Sequence, residues 1–415
     1  MAFHDFFRLN RCKNAIKLFL PISVAYFFFS FGWGLTTPIF SIFINKVTGD
    51  LFLTGIIVGV WGLVGILSDV PFGVIVDKIS PKKLIQISLA SYLIITIAYT
   101  FATDFWTLLA VRIAHALMGA LMWVAVWAYI YSKVEKRCAA QEIGIFSEFY
   151  DVAATVAPLL GGLIVTLSFF APFYILSIFC FAAFIVITIF LPDIKNHKTH
   201  DGYIGLMKKE LFDIFKIGDV FYFLILFIVV IYSIYNVVYV FIPIILHQAG
   251  MGFEIIGIVI AVSALPAVLL EVPVGAFIDR IGRAKAALIG LLIAAACTFM
   301  LSITFNSYAV IGIMFIFGIS SVILILLVNS IASKFILKKE RGGFSGVVTF
   351  FKDIGNFVGP LFGGLSLKLA GVSNTMIGLT LILLITTPIF YFAFKRKPKS
   401  NNLKVINPTI ISRVK

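Results

Sequence analysis

Carboxylates are scarce in this chain. Its 415 residues hold 19 Asp and Glu against 33 Lys and Arg, and charge of either sign reaches only 13%, about half the usual share in soluble domains. Cysteine is thin as well. Cys12, Cys138, Cys180 and Cys297 lie far apart, which excludes a disulfide framework and a cysteine-built metal site. No G-x-x-x-x-G-K run occurs, so an ATP-driven pump is not expected. No His, Cys and Asp grouping has the spacing of a nucleophile with its base or of a metal cluster. The chain is therefore read as neither an enzyme nor the holder of a cofactor or metal. Polar breaks are also few, and the one long example runs from about Asp193 to Asp219.

Apolar residues make up 61% of the chain, more than a soluble core can absorb. Successive apolar spans of about 20 residues lie near 18–45, 51–75, 84–102, 105–132, 143–168 and 172–192. Six more follow near 218–247, 252–276, 286–304, 307–333, 345–369 and 373–394. The 44 phenylalanines suit lipid-facing surfaces and tight helix packing. The first span is too long for a cleaved signal-peptide core and is treated as retained. The organisation expected is 1–192, a linker at 193–217, 218–394 and a tail at 395–415.

The net charge of +14 is a topology signal and not a nucleic-acid patch. Arg8, Arg11, Lys13, Lys17, the 78–83 and 133–137 loops, the 195–216 linker, the 280–285 and 334–341 loops and the tail all fall on one side. The other side offers little beyond Lys46 and Lys368. Both termini are expected in the cytoplasm, with the chain integral to the cell membrane.

The chain repeats itself at an offset of 202. Asp69-Val-Pro71-Phe-Gly73-Val-Ile-Val-Asp77-Lys78 returns as Glu271-Val-Pro273-Val-Gly275-Ala-Phe-Ile-Asp279-Arg280. At the same offset Phe149, Asp151, Val156, Pro158, Gly161 and Gly162 return as Phe351, Asp353, Val358, Pro360, Gly363 and Gly364. Internal repeats in an apolar chain point to a two-lobed transporter with its site between the halves.

Six plus six spans, a basic linker and Gly275-Ala-Phe-Ile-Asp279-Arg280-Ile-Gly282-Arg283 resemble the major facilitator superfamily and its G-x-x-x-D-R-x-G-R pattern. The resemblance implies an all-α integral membrane fold, with twelve transmembrane helices in two pseudo-symmetric six-helix bundles. The first copy keeps Gly73, Asp77 and Lys78 but has Ser80-Pro81-Lys82-Lys83 beyond them. Two readings of Asp77 and Asp279 stand. Either each is a gate latch that accepts from a helix N-terminus in the other half, helped by its dipole, or each is a solvated charge that sets topology. Gly355-Asn-Phe-Val-Gly359-Pro360-Leu-Phe-Gly363-Gly364 resembles the G-x-x-x-G-P-x-x-G-G signature of the drug/proton antiporter branch. In the other copy Ala153 and Ala157 replace two glycines before Pro158, Gly161 and Gly162. These segments are expected to give a bend and a tight seam, or ordinary small-residue packing.

A carboxylate within a span costs about 2.5–3.5 kcal/mol on insertion scales, so Asp69, Glu271, Asp151 and Asp353 need reasons. Glu148 lies three residues before Asp151, on one helical face. The pair reads as a proton-coupling site or as helix-bridging groups, with Asp353 as the matching position. Span 4 carries Arg112 about 10 Å deep and His115 near mid-membrane, with Gly119, Trp123 and Trp127 close to the same face. The resemblance matches Arg112 to the antiporters' R-x-x-Q-G arginine, although His115 and Ala116 replace Gln and Gly. His115 is either a titratable cavity group or a packing histidine. Spans 1, 4, 7 and 10 line the cavity in this superfamily. That adds Tyr235, Asn236, Tyr239 and Asn329 to Arg112, His115 and Trp123 as expected solute contacts. Arg112 is expected to lack a fixed partner and so to attract an anion or dipole.

The function expected is secondary active transport of a small organic solute by alternating access, with proton-coupled efflux preferred. Proton-linked or facilitated nutrient uptake is the alternative, followed by a transporter-like sensor or a lipid scramblase. Protons, the solute and the lipid bilayer are the expected partners of a monomer.

Overall fold

The computed structural model describes residues 13–133, 139–193, 219–304, 306–335 and 341–395. Among them the fold is all helical. In the first half the helices are α1 (Lys13–Thr48), α2 (Leu51–Lys78), α3 (Pro81–Ala98), α4 (Phe105–Lys133), α5 (Ala139–Leu167) and α6 (Ala171–Phe190). The second half has α7 (Asp219–Gln248), α8 (Phe253–Ile281), α9 (Arg283–Ile303) and α10 (Ser307–Phe335). The stretch Arg341–Lys395 is broken at Gly371 (φ 77°, ψ 177°). It is α11 before that residue and α12 after it. Among the described residues eleven stretches are long and apolar enough to cross a membrane, the last of them 48 residues. The break at Gly371 makes it two spans, which gives twelve. Most of the expected 193–217 linker, the tail after Lys395, the 134–137 loop, Arg8 and Arg11 lie outside the described residues.

The helices overrun the apolar spans towards the basic face. The expected 78–83 loop shrinks to Ile79 and Ser80, because α2 continues through Lys78 and α3 starts at Pro81. The expected 280–285 loop shrinks to Gly282. Backbone hydrogen bonding does not stop where side chains become polar, so the repeated signature is mostly helix. On the opposite face, Asp50 caps α2 through the N–H groups of Phe52 and Leu53. Asp104 caps α4 and Asn306 caps α10 in the same way. Bonds from Thr107 and Trp106 hold the Asp104 carboxyl below its ordinary value.

Within the first six helices α1 packs on α5 and α6, α4 on α2 and α3, and α3 on α6. The second six repeat this arrangement: α7 packs on the α11–α12 stretch, α10 on α8 and α9, and α9 on the α11–α12 stretch. Two matching seams join the bundles, α2 against α11 and α5 against α8. Each bundle buries its own apolar core, with Phe227, Phe317 and Phe390 in the second and Phe19, Phe146 and Phe173 in the first.

Candidate functional site

Glycines bring the seam backbones together. A Cβ on Gly364 would fall on the Leu51 carbonyl, and one on Gly55 would fall on the Pro360 carbonyl. At the offset of 202 the other seam repeats both contacts, Gly162 on the Phe253 carbonyl and Gly257 at 2.6 Å from the Pro158 oxygen. The doublets divide their work. Gly363 and Gly161 pack against α7 and α1 of their own bundles, while Gly364 and Gly162 face the other bundle. These contacts lie in the halves of the helices remote from the basic face. The α2/α11 series continues through Gly59 and Gly62 to Gly65, where a Cβ would meet the Asp353 carboxylate at 2.6 Å.

Asp353 sits at the inner end of that seam, 8% exposed. Its Oδ1 accepts from Asn356 Nδ2 (3.1 Å). Asn236 Nδ2 in turn donates to Asn356 Oδ1 (2.8 Å) and to the Tyr232 carbonyl (2.8 Å). A polar chain thus runs from α7 through α11 to the surface of α2 in the other bundle. Asp69, one turn beyond Gly65, lies within electrostatic reach of Asp353. On the other seam Asp151 lies within reach of Glu271 and Glu148. The repeated carboxylates therefore approach one another crosswise between the bundles, Asp69 with Asp353 and Asp151 with Glu271. Lys352 Nζ lies over the Tyr232 ring, 5.4 Å from its centroid.

Arg112 and His115 are buried inside the first bundle, 4% and 2% exposed. Arg112 donates to the Ile57 and Val58 carbonyls of α2 (3.2 and 3.3 Å) and to His115 Nδ1 (3.3 Å). Its guanidinium lies over the Phe40 and Trp61 rings. Arginine can only donate, so Nδ1 is an acceptor and the imidazole proton sits on Nε2. Tyr99 Oη completes the site at 2.8 Å from Nδ1. Trp33, Trp61, Tyr92 and Tyr99 enclose the ring. The expectation that Arg112 lacks a fixed partner is corrected: it staples α4 to α2. Helical spacing shows depth and face, whereas partners depend on which helix packs there.

The expected solute contacts form two groups. Arg112 and His115 meet α1, α2, α3 and the Tyr99 turn, whereas Tyr235 and Tyr239 pack on each other and on Phe317 of α10. Tyr239 Oη reaches Ser321 at 3.4 Å. Trp123 is 43% exposed and touches Tyr26 and Trp127. Asn329 is exposed on α10. Glu148 and Glu271 are exposed, and Asp151 is half-buried.

Of the gate residues, Gly73 is buried, Asp77 half-buried, Gly275 half-buried, and Lys78, Asp279 and Arg280 exposed. Asp279 borders a cavity of about 340 Å³ lined by Ile278, Gly282, Arg283, Ser330 and Phe394 of its own bundle. Arg283 donates to the Ser330 carbonyl and hydroxyl at 2.5 and 3.1 Å, which ties α9 to α10. Gly282 has φ 81°, a left-handed value that favours glycine. Its counterpart Ser80 has φ −51° and needs no glycine, which explains the divergent first copy.

Sequence reasoning missed Asn356, Lys352, Asp50 and Lys368. The glycines at 55, 59, 62 and 65 were a readable stripe at helical spacing. Asp50 was readable as a cap, but Lys368 carried no local signal.

The Major Facilitator Superfamily model matches residues 22–253 and 223–410. The uncharacterized MFS-type transporter MJ1560 of Methanocaldococcus jannaschii is 24% identical over 357 residues, 83% of this chain and 89% of that protein. Multidrug resistance protein MdtG of Salmonella typhimurium is 24% identical over 176 residues, 41% of this chain and 42% of that protein. In fold, the crystal structure of nucleoside transporter NupG matches with a TM-score of 0.76 at 15% identity, covering 92% of this chain and 100% of that one.

Proposed function

Because the chain belongs to the Major Facilitator Superfamily of membrane transporters, we propose that it exports a small organic solute by alternating access in exchange for protons. One observation carries this reading: the close inter-bundle contacts that repeat on both seams occupy the halves of the helices remote from the basic face, and only the α2/α11 seam continues inward to Asp353. Two bundles joined that way can rock about a site between them. By the positive-inside rule this conformation is closed to the outside. The Pro-Gly signature and the partial likeness to MdtG favour efflux.

The solute site lies between Trp123 of the first bundle and Tyr239, Asn236 and Asn329 of the second, with Arg112 and His115 as the wall behind it. Protons act at the crosswise carboxylates. Asp353 is the best placed, because the Asn236–Asn356 chain links it to the solute side while its other oxygen rests on the opposite bundle. Rocking changes that carboxylate's surroundings, and proton affinity must then follow conformation. Asp151 with Glu148 serves the second seam. The opposite, outward-open conformation uses Asp77 and Asp279 as its inner latches.

The test begins with a thermal-shift ligand screen at two pH values and proceeds to flux into proteoliposomes. Wild type should respond to the pH gradient. Asp353→Asn should retain solute exchange at equal pH and lose the response. Wild-type flux indifferent to the gradient would replace antiport with facilitated transport. Equal losses for Asp353→Asn in both assays would make Asp353 structural.

A further inference from the structure

The outer end of the α2/α11 seam carries an asymmetry that the repeat does not share. Asp50 uses its two oxygens separately. Oδ1 accepts the N–H groups of Phe52 (2.8 Å) and Leu53 (3.0 Å), which caps α2. Oδ2 pairs with the Lys368 ammonium, which comes from the end of α11 in the other bundle. The pair sits just beyond the approach of Gly364 to Leu51. At the offset of 202 the counterparts are Gly252 and Thr166, which cannot pair. The α5/α8 seam is closed by rings instead. Phe169 meets Phe253 across the seam at 6.0 Å, and each ring is backed from its own bundle, Phe169 by Lys46 at 5.0 Å and Phe253 by His247 at 4.8 Å.

We propose that Asp50 and Lys368 form an ionic latch that holds the outer face shut on one seam only. The inference rests on the alternating-access reading, because a latch needs a second state to oppose. The cap orients the carboxylate whether or not lysine is present, so closing orders only the Lys368 side chain. That lowers the entropic cost which makes most exposed ion pairs weak. It also makes the α2/α11 seam sensitive to salt, while the Phe169–Phe253 contact that crosses α5/α8 is indifferent to it.

The test measures distances between spin labels at Trp106 and Tyr308, both exposed near the outer starts of α4 and α10. Cys12 and Cys138 are changed to Ser, and the buried Cys180 and Cys297 are kept. Asp50→Asn keeps the capping oxygen and loses the charge, and Lys368→Met removes the cation. Each should raise the open-to-closed ratio about 1.4- to 5-fold. Raising KCl from about 0.02 to 0.5 M should raise it in wild type and in neither variant, and Lys368→Arg should restore the wild-type ratio. Two distance populations that ignore both substitutions refute the latch alone. A single wild-type distance under every salt and pH condition refutes alternating access, and the latch with it.

Discussion

Replacing Gly55 by alanine should open the outer face. The new methyl would fall on the Pro360 carbonyl oxygen, a backbone atom that cannot swing aside. Overpacking of this kind costs about 1–3 kcal/mol. Alanine also gains about 1 kcal/mol of helix propensity over glycine, but α2 is helical in both conformations, so that gain cancels from their ratio. The closed state alone bears the clash. At about 1.4 kcal/mol per tenfold, the closed-to-open ratio should fall about 5- to 150-fold. Gly257→Ala strikes the matching position, 2.6 Å from the Pro158 oxygen, and should act the same way. The two sites lie on different seams, so their free energies should add and their ratios multiply. Gly312→Ala and Gly378→Ala place a methyl where nothing lies within 4 Å and serve as controls. The readout is the distance distribution between the same two outer labels. A Gly55→Ala protein that keeps the wild-type closed fraction, with its folding confirmed by thermal unfolding, would refute the claim that this seam must part during transport.

Arg112→Lys keeps the charge but loses the fork that reaches two carbonyls, so it should destabilise the protein by about 1.5–3 kcal/mol. A drop in solute affinity at unchanged Tm would instead return Arg112 to direct solute contact. Gly282→Ala forces a β-carbon into a left-handed conformation at a cost of about 1–3 kcal/mol, whereas Ser80→Ala meets no such strain and should cost only the exposed hydroxyl's bond to Asp193, about 0.5–1.5 kcal/mol. Asp279→Asn should fold and insert normally yet transport slowly, because a neutral amide is a weaker partner for a helix dipole; wild-type flux would remove the inner latch. Lys368, by its hydrogen bond and charge, and the capping N–H groups hold the closed-state Asp50 carboxyl below its ordinary 3.8. A depressed value means the latch is intact above the ordinary value and is lost as pH falls through the lowered one. The Asp50→Asn effect on the outer distance should therefore be constant from neutral pH down to about 5, and a titration of that effect near neutrality would contradict the pairing.

The twelve spans, the duplication and the signature around Asp279 were legible because they depend on local properties. Apolarity over about 20 residues and residue identity at a fixed offset need no knowledge of neighbours. The gate glycine was legible too, although only the backbone angles at Gly282 and Ser80 explain why one copy could lose it. Partners were not legible. Asp69 looks like a lone carboxylate in a span and Asp151 like the mate of Glu148 alone, and the tertiary structure sets them within reach of Asp353 and Glu271 across two seams. Arg112 looked like a cation awaiting a solute until α2 was seen to supply its carbonyls. Lys368 looked like a stray charge on the sparse face until α11 brought it to Asp50. A span's sequence sets its depth in the bilayer and which residues share a face. Which helix that face meets, and in what register, is decided by how the backbones pack, and here that packing follows the glycines.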